Sequence, residues 1–305
     1  MQFRVRGVIA AAVTPMDEQG KLRLGKIREV VDRLIEDGVN GFYVCGSTGE
    51  GVSLTSAERR QVAEAFVDAV AGRGPVLVQV GHNSLAEARE LAAHAQQIGA
   101  TAVSATCPSY FKINSVDVLV DCMAEVAAGA PELPFYYYHI PSLTGVPLSM
   151  AAFLERGSQR IPNLVGMKYT ATTLPEFQAC IELQHRRYDI LWGTDEMMLA
   201  ALATGATGFV GSTYNLAMPL YRRVIEAFEA KDIPTARAWQ SRAVGMVRVL
   251  EQWPMLPALK AVLAMLGVDV GPCRLPHPRL AAPDRERLRS QLQSIGFFQW
   301  RNGNG

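Results

Sequence analysis

The sequence contains little cysteine and little lysine. Its five cysteines, at positions 45, 107, 122, 180 and 273, are scattered along 305 residues, and none belongs to a C-x-x-C pair. This pattern predicts neither a disulfide framework nor a structural zinc site, and it favours reduced cysteines that serve as small core side chains. Only six of the 30 basic residues are lysines. A lysine at the end of an apolar segment is therefore notable, because lysine, unlike arginine, can lose its charge and act as a nucleophile.

Long hydrophobic runs and an excess of one charge are also absent. No segment approaches the roughly 18 apolar residues that a membrane span needs, and the apolar stretch near the start is too short to predict a secretory signal. The formal net charge of +1 provides no strong field for nucleic acid or an anionic membrane. The five histidines show no H-x-H or H-E-x-x-H spacing, so no metal site is predicted. These features predict a cytoplasmic protein.

Eight short apolar segments alternate with one-sided helical patterns. They are nearly continuous in apolar residues, as is typical of parallel strands covered on both faces. Such a series predicts an α/β fold of the (β/α)8 TIM barrel type. An open doubly wound sheet is the alternative, which the regular repetition and the lack of a G-x-G-x-x-G motif disfavour. The segments are 7–13, 41–46, 75–81, 101–106, 134–139, 164–168, 189–193 and 207–212.

More helical patterns follow the eighth segment than a barrel requires. We therefore predict a barrel over residues 1–225 and a C-terminal helical extension, packed on the barrel, over 226–305. The last stretch, FFQWRNGNG (297–305), is predicted to be a frayed tail. Capping boxes are predicted at three helix starts, Thr55/Glu58, Ser84/Glu87 and Thr173/Glu176, from the spacing of a hydroxyl residue and a glutamate.

The active site of a (β/α)8 barrel lies where its strands end. The second strand ends in GSTGEG (46–51), where Ser47, Thr48 and nearby backbone N–H groups can bind a carboxylate or phosphate, or simply form a turn. The fifth ends at Tyr138, either a proton relay at the rim or part of an aromatic core. His139 beside it is expected to face a helix or make a loop hydrogen bond. The seventh ends in GTDE (193–196), where Asp195 and Glu196 either accept hydrogen bonds from substrate hydroxyls or start a helix.

The sixth strand ends at Lys168. Burial among apolar walls disfavours the charged form of an amine, and a neutral amine can attack a ketone to form a Schiff base. The alternative is a lysine that extends past the strand into solvent. The hydroxyl loop and the tyrosine at neighbouring strand ends favour the nucleophilic interpretation.

These strand ends together resemble the N-acetylneuraminate lyase family, part of a superfamily that includes dihydrodipicolinate synthase. The similarity extends over about residues 5–290. The segments that carry it are GSTGEG (46–51), FYYYHIPSLTGV (135–146), GMKYT (166–170), GTDE (193–196) and GATGFVGSTYN (205–215).

The resemblance implies a class I aldolase that cleaves N-acetylneuraminate to N-acetylmannosamine and pyruvate. It implies that Lys168 forms the Schiff base, that Tyr138 relays the proton, and that Ser47 and Thr48 hold the substrate carboxylate and Tyr138. It further implies a homotetramer that needs no metal or organic cofactor. The positions that match contacts to the sugar and its glycerol tail are Thr170, Gly193, Asp195, Glu196 and Ser212.

Three departures from the family pattern bear on these expectations. The synthase branch has an arginine where this chain has Leu143, which cannot form a bidentate pair with a carboxylate. A neighbouring subunit can lend a tyrosine in this family; Tyr110 is the candidate, although Phe111 stands beside it. Residues 235–260 show little similarity to the family pattern.

Two alternative functions remain. One is an aldolase or synthase acting on another 2-keto-3-deoxy acid, and the other is a sugar-acid-binding barrel without catalysis.

Overall fold

A computed structural model describes residues 3–301 of the chain. Its centre is a closed barrel of eight parallel strands in sequential order, in which β8 pairs with β1. Each predicted apolar segment coincides with one strand, although the sixth strand extends one residue further, to Tyr169. The predicted (β/α)8 barrel is confirmed. The strands are β1 (Gly7–Ala11), β2 (Gly41–Val44), β3 (Val76–Gln79), β4 (Ala102–Ala105), β5 (Phe135–His139), β6 (Leu164–Tyr169), β7 (Asp189–Trp192) and β8 (Gly208–Gly211).

Nearly every strand residue is buried, because side chains on one face fill the barrel and those on the other pack beneath the helices. In β5, Tyr136 and Tyr138 belong to the interior cluster, whereas Phe135 and Tyr137 belong to the outer layer. The helices that cover this layer are α1 (Ile27–Asp37), α2 (Ser56–Val70), α3 (Leu85–Gln97), α4 (Val116–Ala127), α5 (Pro141–Thr144), α6 (Met150–Arg160), α7 (Leu174–Arg186), α8 (Met198–Thr204) and α9 (Tyr214–Glu229).

Of the three predicted capping boxes, only the one at Thr55 forms; at Ser84 the side chain caps the helix, but the Glu87 carboxylate accepts from the Ser56 hydroxyl at 2.5 Å instead. Thr55 and Glu58 form the full capping box of α2, in which each side chain accepts a hydrogen bond from the other residue's backbone N–H. Ser84 accepts from the N–H of Glu87 at 3.4 Å at the start of α3. The prediction at Thr173 is wrong, because its side chain makes no cap. The Glu176 carboxylate instead accepts from the Tyr169 hydroxyl at 2.9 Å and from the Met150 N–H at 3.0 Å.

The C-terminal helices are α10 (Ile233–Leu250), α11 (Met255–Met265), α12 (Ala282–Ser294) and α13 (Phe297–Arg301). Helix α9 is continuous across residue 225, the predicted division between barrel and extension. No helix within residues 3–301 is long and apolar enough to cross a membrane.

The predicted frayed tail is wrong for residues 297–301, which form α13. Phe297 is buried, the Arg301 guanidinium forms an ion pair with Asp37, and its Nε donates to the Leu216 carbonyl at 2.9 Å. These contacts anchor the helix on α1 and α9. Residues 302–305 lie outside the described part of the chain.

Candidate active site

Lys168 lies near the end of β6, in register with Tyr138 of β5 and Leu191 of β7. Its side chain points into the barrel and is only 5% exposed, which excludes the solvent-directed alternative. Its Nζ lies 4.1 Å from the ring centroid of Tyr138 and 4.6 Å from that of Tyr43. The two rings meet edge to face with centroids 5.6 Å apart, so the amine is enclosed by aromatic walls.

The sequence interpretation missed Tyr43. Phe42 and Val44 on either side of it face the helices, whereas Tyr43 faces the barrel interior. Its hydroxyl donates to Ser104 Oγ at 3.0 Å. Burial, and then the neighbouring phenol of Tyr138, raise the pKa of Tyr43 well above its ordinary value, so it stays a neutral phenol. The alternation of faces along β2 was the available signal.

The GSTGEG loop follows β2 and makes a hydrogen bond to Ser212, directly after β8. Thr48 is buried, and its Oγ1 lies 2.8 Å from Ser212 Oγ, while Ser47 is exposed at the surface. The loop turns back on itself through a hydrogen bond from the Gly51 N–H to the Gly46 carbonyl at 3.0 Å. Thr48 is therefore fixed at the barrel mouth, and Ser47 remains open to solvent or ligand.

A buried ion pair joins this loop to helix α11 of the C-terminal extension. Glu50 has a left-handed backbone with φ of 56°, and its Oε1 lies 2.6 Å from Lys260 Nζ of α11. Lys260 also donates to the Thr14 carbonyl at 2.8 Å, and the Thr14 hydroxyl donates to the Gly49 carbonyl at 2.7 Å. The N–H of Arg274 donates to Glu50 Oε2 at 2.8 Å. The C-terminal extension thus fixes the loop that carries the predicted hydroxyls, a role that the sequence did not reveal for Lys260.

A cavity of about 620 Å³ opens at this end of the barrel. Its lining includes all five positions predicted to contact the sugar, namely Thr170, Gly193, Asp195, Glu196 and Ser212. Thr170 follows Lys168 by two residues, on the face of the strand that points inward. Its Oγ1 is buried and has no hydrogen-bond partner among residues 3–301.

Asp195 is held by the end of β8. Its Oδ2 accepts from the N–H and the hydroxyl of Thr213, at 2.8 and 2.7 Å, rather than capping a helix. Burial raises the pKa of Asp195, although these two hydrogen bonds and the charge of Lys168 oppose the rise. A Cβ on Gly211 would lie 1.6 Å from Asp195 Oδ1, so only glycine lets the carboxylate sit there.

The C-terminal helices provide the outer wall of the cavity. Val247 of α10, Glu251 directly after α10 and Met255 at the start of α11 line it. Gln240 of α10 donates to the carbonyl of Glu196 at 2.9 Å and accepts from the N–H of Leu199 at 2.8 Å, which joins this wall to the end of β7.

Tyr110 and His139 lie away from the cavity. Tyr110 is 78% exposed and packs edge to face against Phe111, with centroids 5.1 Å apart. His139 faces the helix layer, as predicted, with its ring 5.1 Å from that of Tyr169. Burial lowers the pKa of His139 to about 4, so it is neutral at physiological pH. Across residues 3–301, no three His, Cys, Asp or Glu side chains cluster as metal ligands.

A buried amine between two phenols, at the open end of a parallel barrel, is typical of enzymes that bind keto acids covalently. The model of the dihydrodipicolinate synthetase family matches residues 4–295. The chain belongs to that family.

Individual proteins within this family resemble the chain over nearly its full length. The chain is 39% identical over 302 residues to mouse N-acetylneuraminate lyase, covering 97% of this chain and 94% of that protein. The solved N-acetylneuraminate lyase of Proteus mirabilis is 37% identical, with a TM-score of 0.94 over 97% of this chain and 100% of that one. That of Aliivibrio salmonicida is 36% identical, also with a TM-score of 0.94, over 97% and 98% of the two chains.

Proposed function

We propose that this protein is a class I aldolase that cleaves N-acetylneuraminate to N-acetylmannosamine and pyruvate through a Schiff base on Lys168. The observation that carries the proposal is the position of the Lys168 amine, buried between the rings of Tyr138 and Tyr43 and two residues before Thr170, which lines the cavity. The names of the full-length relatives favour this reaction over that of a synthase. Leu143 agrees, since it is uncharged and 64% exposed, where the synthase branch needs a carboxylate-binding arginine.

The first step is attack of the neutral Lys168 amine on the C2 ketone of the open-chain sugar acid. The resulting carbinolamine loses water and becomes an iminium, which withdraws electrons from the neighbouring carbons. We assign the substrate carboxylate to Ser47, Thr48 and the backbone N–H groups of their loop. Thr48 is held for this role by Ser212, and the loop by the Glu50–Lys260 ion pair.

The C3–C4 bond then breaks, and its electron pair moves toward the iminium to leave an enamine. The C4 hydroxyl loses its proton as it becomes the aldehyde of N-acetylmannosamine. We assign a relay role to Tyr138, whose phenol oxygen accepts this proton while its own proton passes to the substrate carboxylate. The enamine takes up a proton at C3, and hydrolysis of the imine releases pyruvate and the free amine. Thr170, Gly193, Asp195, Glu196 and Ser212 are the proposed contacts to the sugar and its glycerol tail.

The iminium serves as the electron sink, so the proposed reaction needs no metal and no organic cofactor. Dialysis against a chelator should leave kcat unchanged.

We further propose a cytoplasmic homotetramer in which Tyr110 approaches a neighbouring active site. The exposed Tyr110–Phe111 pair supports this, because adjacent exposed aromatic side chains form an apolar patch of the kind that marks interaction surfaces. A monomer in sedimentation analysis would reject the proposed tetramer, but it would not contradict the proposed Schiff-base reaction.

Borohydride reduction in the presence of pyruvate tests the proposal directly. Mass spectrometry should find the reduced adduct on the peptide that contains Lys168, and the Lys168→Ala variant should neither form it nor cleave N-acetylneuraminate. Lys21→Ala is the matched control, because Lys21 is exposed and does not line the cavity. A Lys168→Ala protein that retains cleavage would refute the proposal.

A further inference from the structure

The outer half of the cavity is acidic. Three carboxylates line it: Asp195 and Glu196 after β7, and Glu251 at the end of α10. None of the lining residues within the described chain is a lysine, arginine or histidine. The Lys168 amine inside the barrel acts on Asp195 through its charge. The lining of the cavity itself, in the described part of the chain, carries only negative charge.

The carboxylates act on one another across the two parts of the fold. Burial raises the pKa of Glu196, and the charges of Asp195 and then Glu251 raise it further. Because like charges already repel there, another anion entering this region meets the same repulsion. Gln240 fixes the distance between the two walls, since it bonds to the backbone on either side of the turn after Glu196. The outer wall therefore cannot retreat freely from a charged ligand.

Hydroxyl groups complete the outer region. Thr170, Thr172 and Thr173 line the cavity with Ser142 and Ser212. Hydroxyls and carboxylates can donate to or accept from a polyol, but no lining side chain can form an ion pair with a phosphate.

We infer that Glu251, supplied by the C-terminal extension, selects substrates whose far end is an uncharged polyol and excludes those that carry a terminal phosphate. This inference rests on the proposed function, because it takes Lys168 as the anchor of the keto-acid end. It assigns a specificity role to the part of the chain whose sequence matched the family least.

The test compares two substrates with the full-length protein, N-acetylneuraminate and the same sugar acid with a phosphate monoester on its terminal carbon. The wild-type kcat/KM should be at least tenfold lower for the phosphate ester. Glu251→Gln should raise kcat/KM for the ester about tenfold, mainly through KM, and so reduce the ratio between the two substrates. Because Glu251 is exposed, the discrimination should shrink as salt increases.

Glu286→Gln is the matched control, since it removes the same charge from an exposed position on α12 that does not line the cavity. Equal wild-type rates on the two substrates would overturn the inference, and so would an equal gain from Glu286→Gln. Pyruvate trapping separates this failure from that of the proposed function. Trapping on Lys168 without discrimination rejects the role of Glu251 alone, whereas absence of trapping rejects both.

Discussion

Two tyrosine rings enclose the Lys168 amine, but their hydroxyls differ. The Tyr43 hydroxyl donates to Ser104 Oγ at 3.0 Å, deep in the barrel. Tyr138 is on the strand next to Lys168 and in register with it. The structure thus engages the Tyr43 hydroxyl in a hydrogen bond, and the proposed proton transfer is assigned to Tyr138.

Tyr138→Phe should lower kcat by about 10²- to 10⁴-fold, because it removes a general acid–base group while keeping the ring beside the amine. Reduced pyruvate adduct should still accumulate on Lys168. Tyr43→Phe is the comparison: it loses one neutral hydrogen bond, worth roughly 1 kcal/mol, and should lower kcat by less than about tenfold. Steady-state rates and trapping on both variants measure the difference, and equal losses would contradict the assignment.

His139 should make stability fall in mild acid. Burial lowers its pKa to about 4 in the folded protein, with the charge of Glu176 opposing the shift, whereas an unfolded histidine titrates near about 6.5. Between these values the unfolded chain binds the extra proton. The stabilisation present above pH 6.5 is therefore lost as pH falls toward 4, by about 2 kcal/mol between pH 7 and pH 5.

Urea unfolding at several pH values measures this loss. His139→Phe should remove most of the slope between pH 6.5 and 5, because an aromatic ring is retained among Tyr137 and Tyr169 without a titrating group. An unchanged slope in that variant would assign the acid sensitivity to other groups.

At the scale of elements, strands were predictable and helix ends only partly so. A strand that is buried on both faces has a nearly continuous run of apolar residues, and this run is visible in the sequence. All eight strands were therefore predicted. The cap at Thr173 failed because Glu176 binds groups from β6 and α6 instead. Helix α13 was missed because it is stabilised by the ion pair of Arg301 with Asp37 and by the burial of Phe297. Both contacts involve residues far away in the sequence, so the local sequence does not indicate them.

The same distinction applies to the candidate site. Residues at strand ends were identified because barrel geometry gathers all strand ends at one face. Tyr43 lies within a strand, and Lys260 and Glu251 lie in the C-terminal part of the chain, so their contributions depend on packing between distant segments. Sequence motifs therefore predicted the candidate catalytic residues, while the structure identified residues that hold them in place.

At the scale of the whole molecule, the Glu50–Lys260 ion pair joins the barrel to the extension. Both side chains are almost fully buried, so removing one partner leaves an uncompensated charge. Lys260→Met should lower the free energy of unfolding by about 3–5 kcal/mol. It should also loosen the loop that carries Thr48, because the left-handed Glu50 would lose its partner.

Urea unfolding of the single and double variants checks this coupling. Glu50→Gln combined with Lys260→Met should be clearly more stable than the sum of the two single losses predicts, because neither buried charge remains. Simple additivity would show that the pair contributes little to joining the two parts.

The outer wall of the cavity has a consequence for laboratory evolution. The groups assigned to bond making and breaking lie on barrel strands, whereas residues 247, 251 and 255 belong to helices outside the barrel. We expect libraries that randomise these three positions, with Gly211 held constant, to change which aldehyde is accepted while leaving the keto-acid half of the reaction intact. Part of the substrate range would then be mutable separately from the reactive groups.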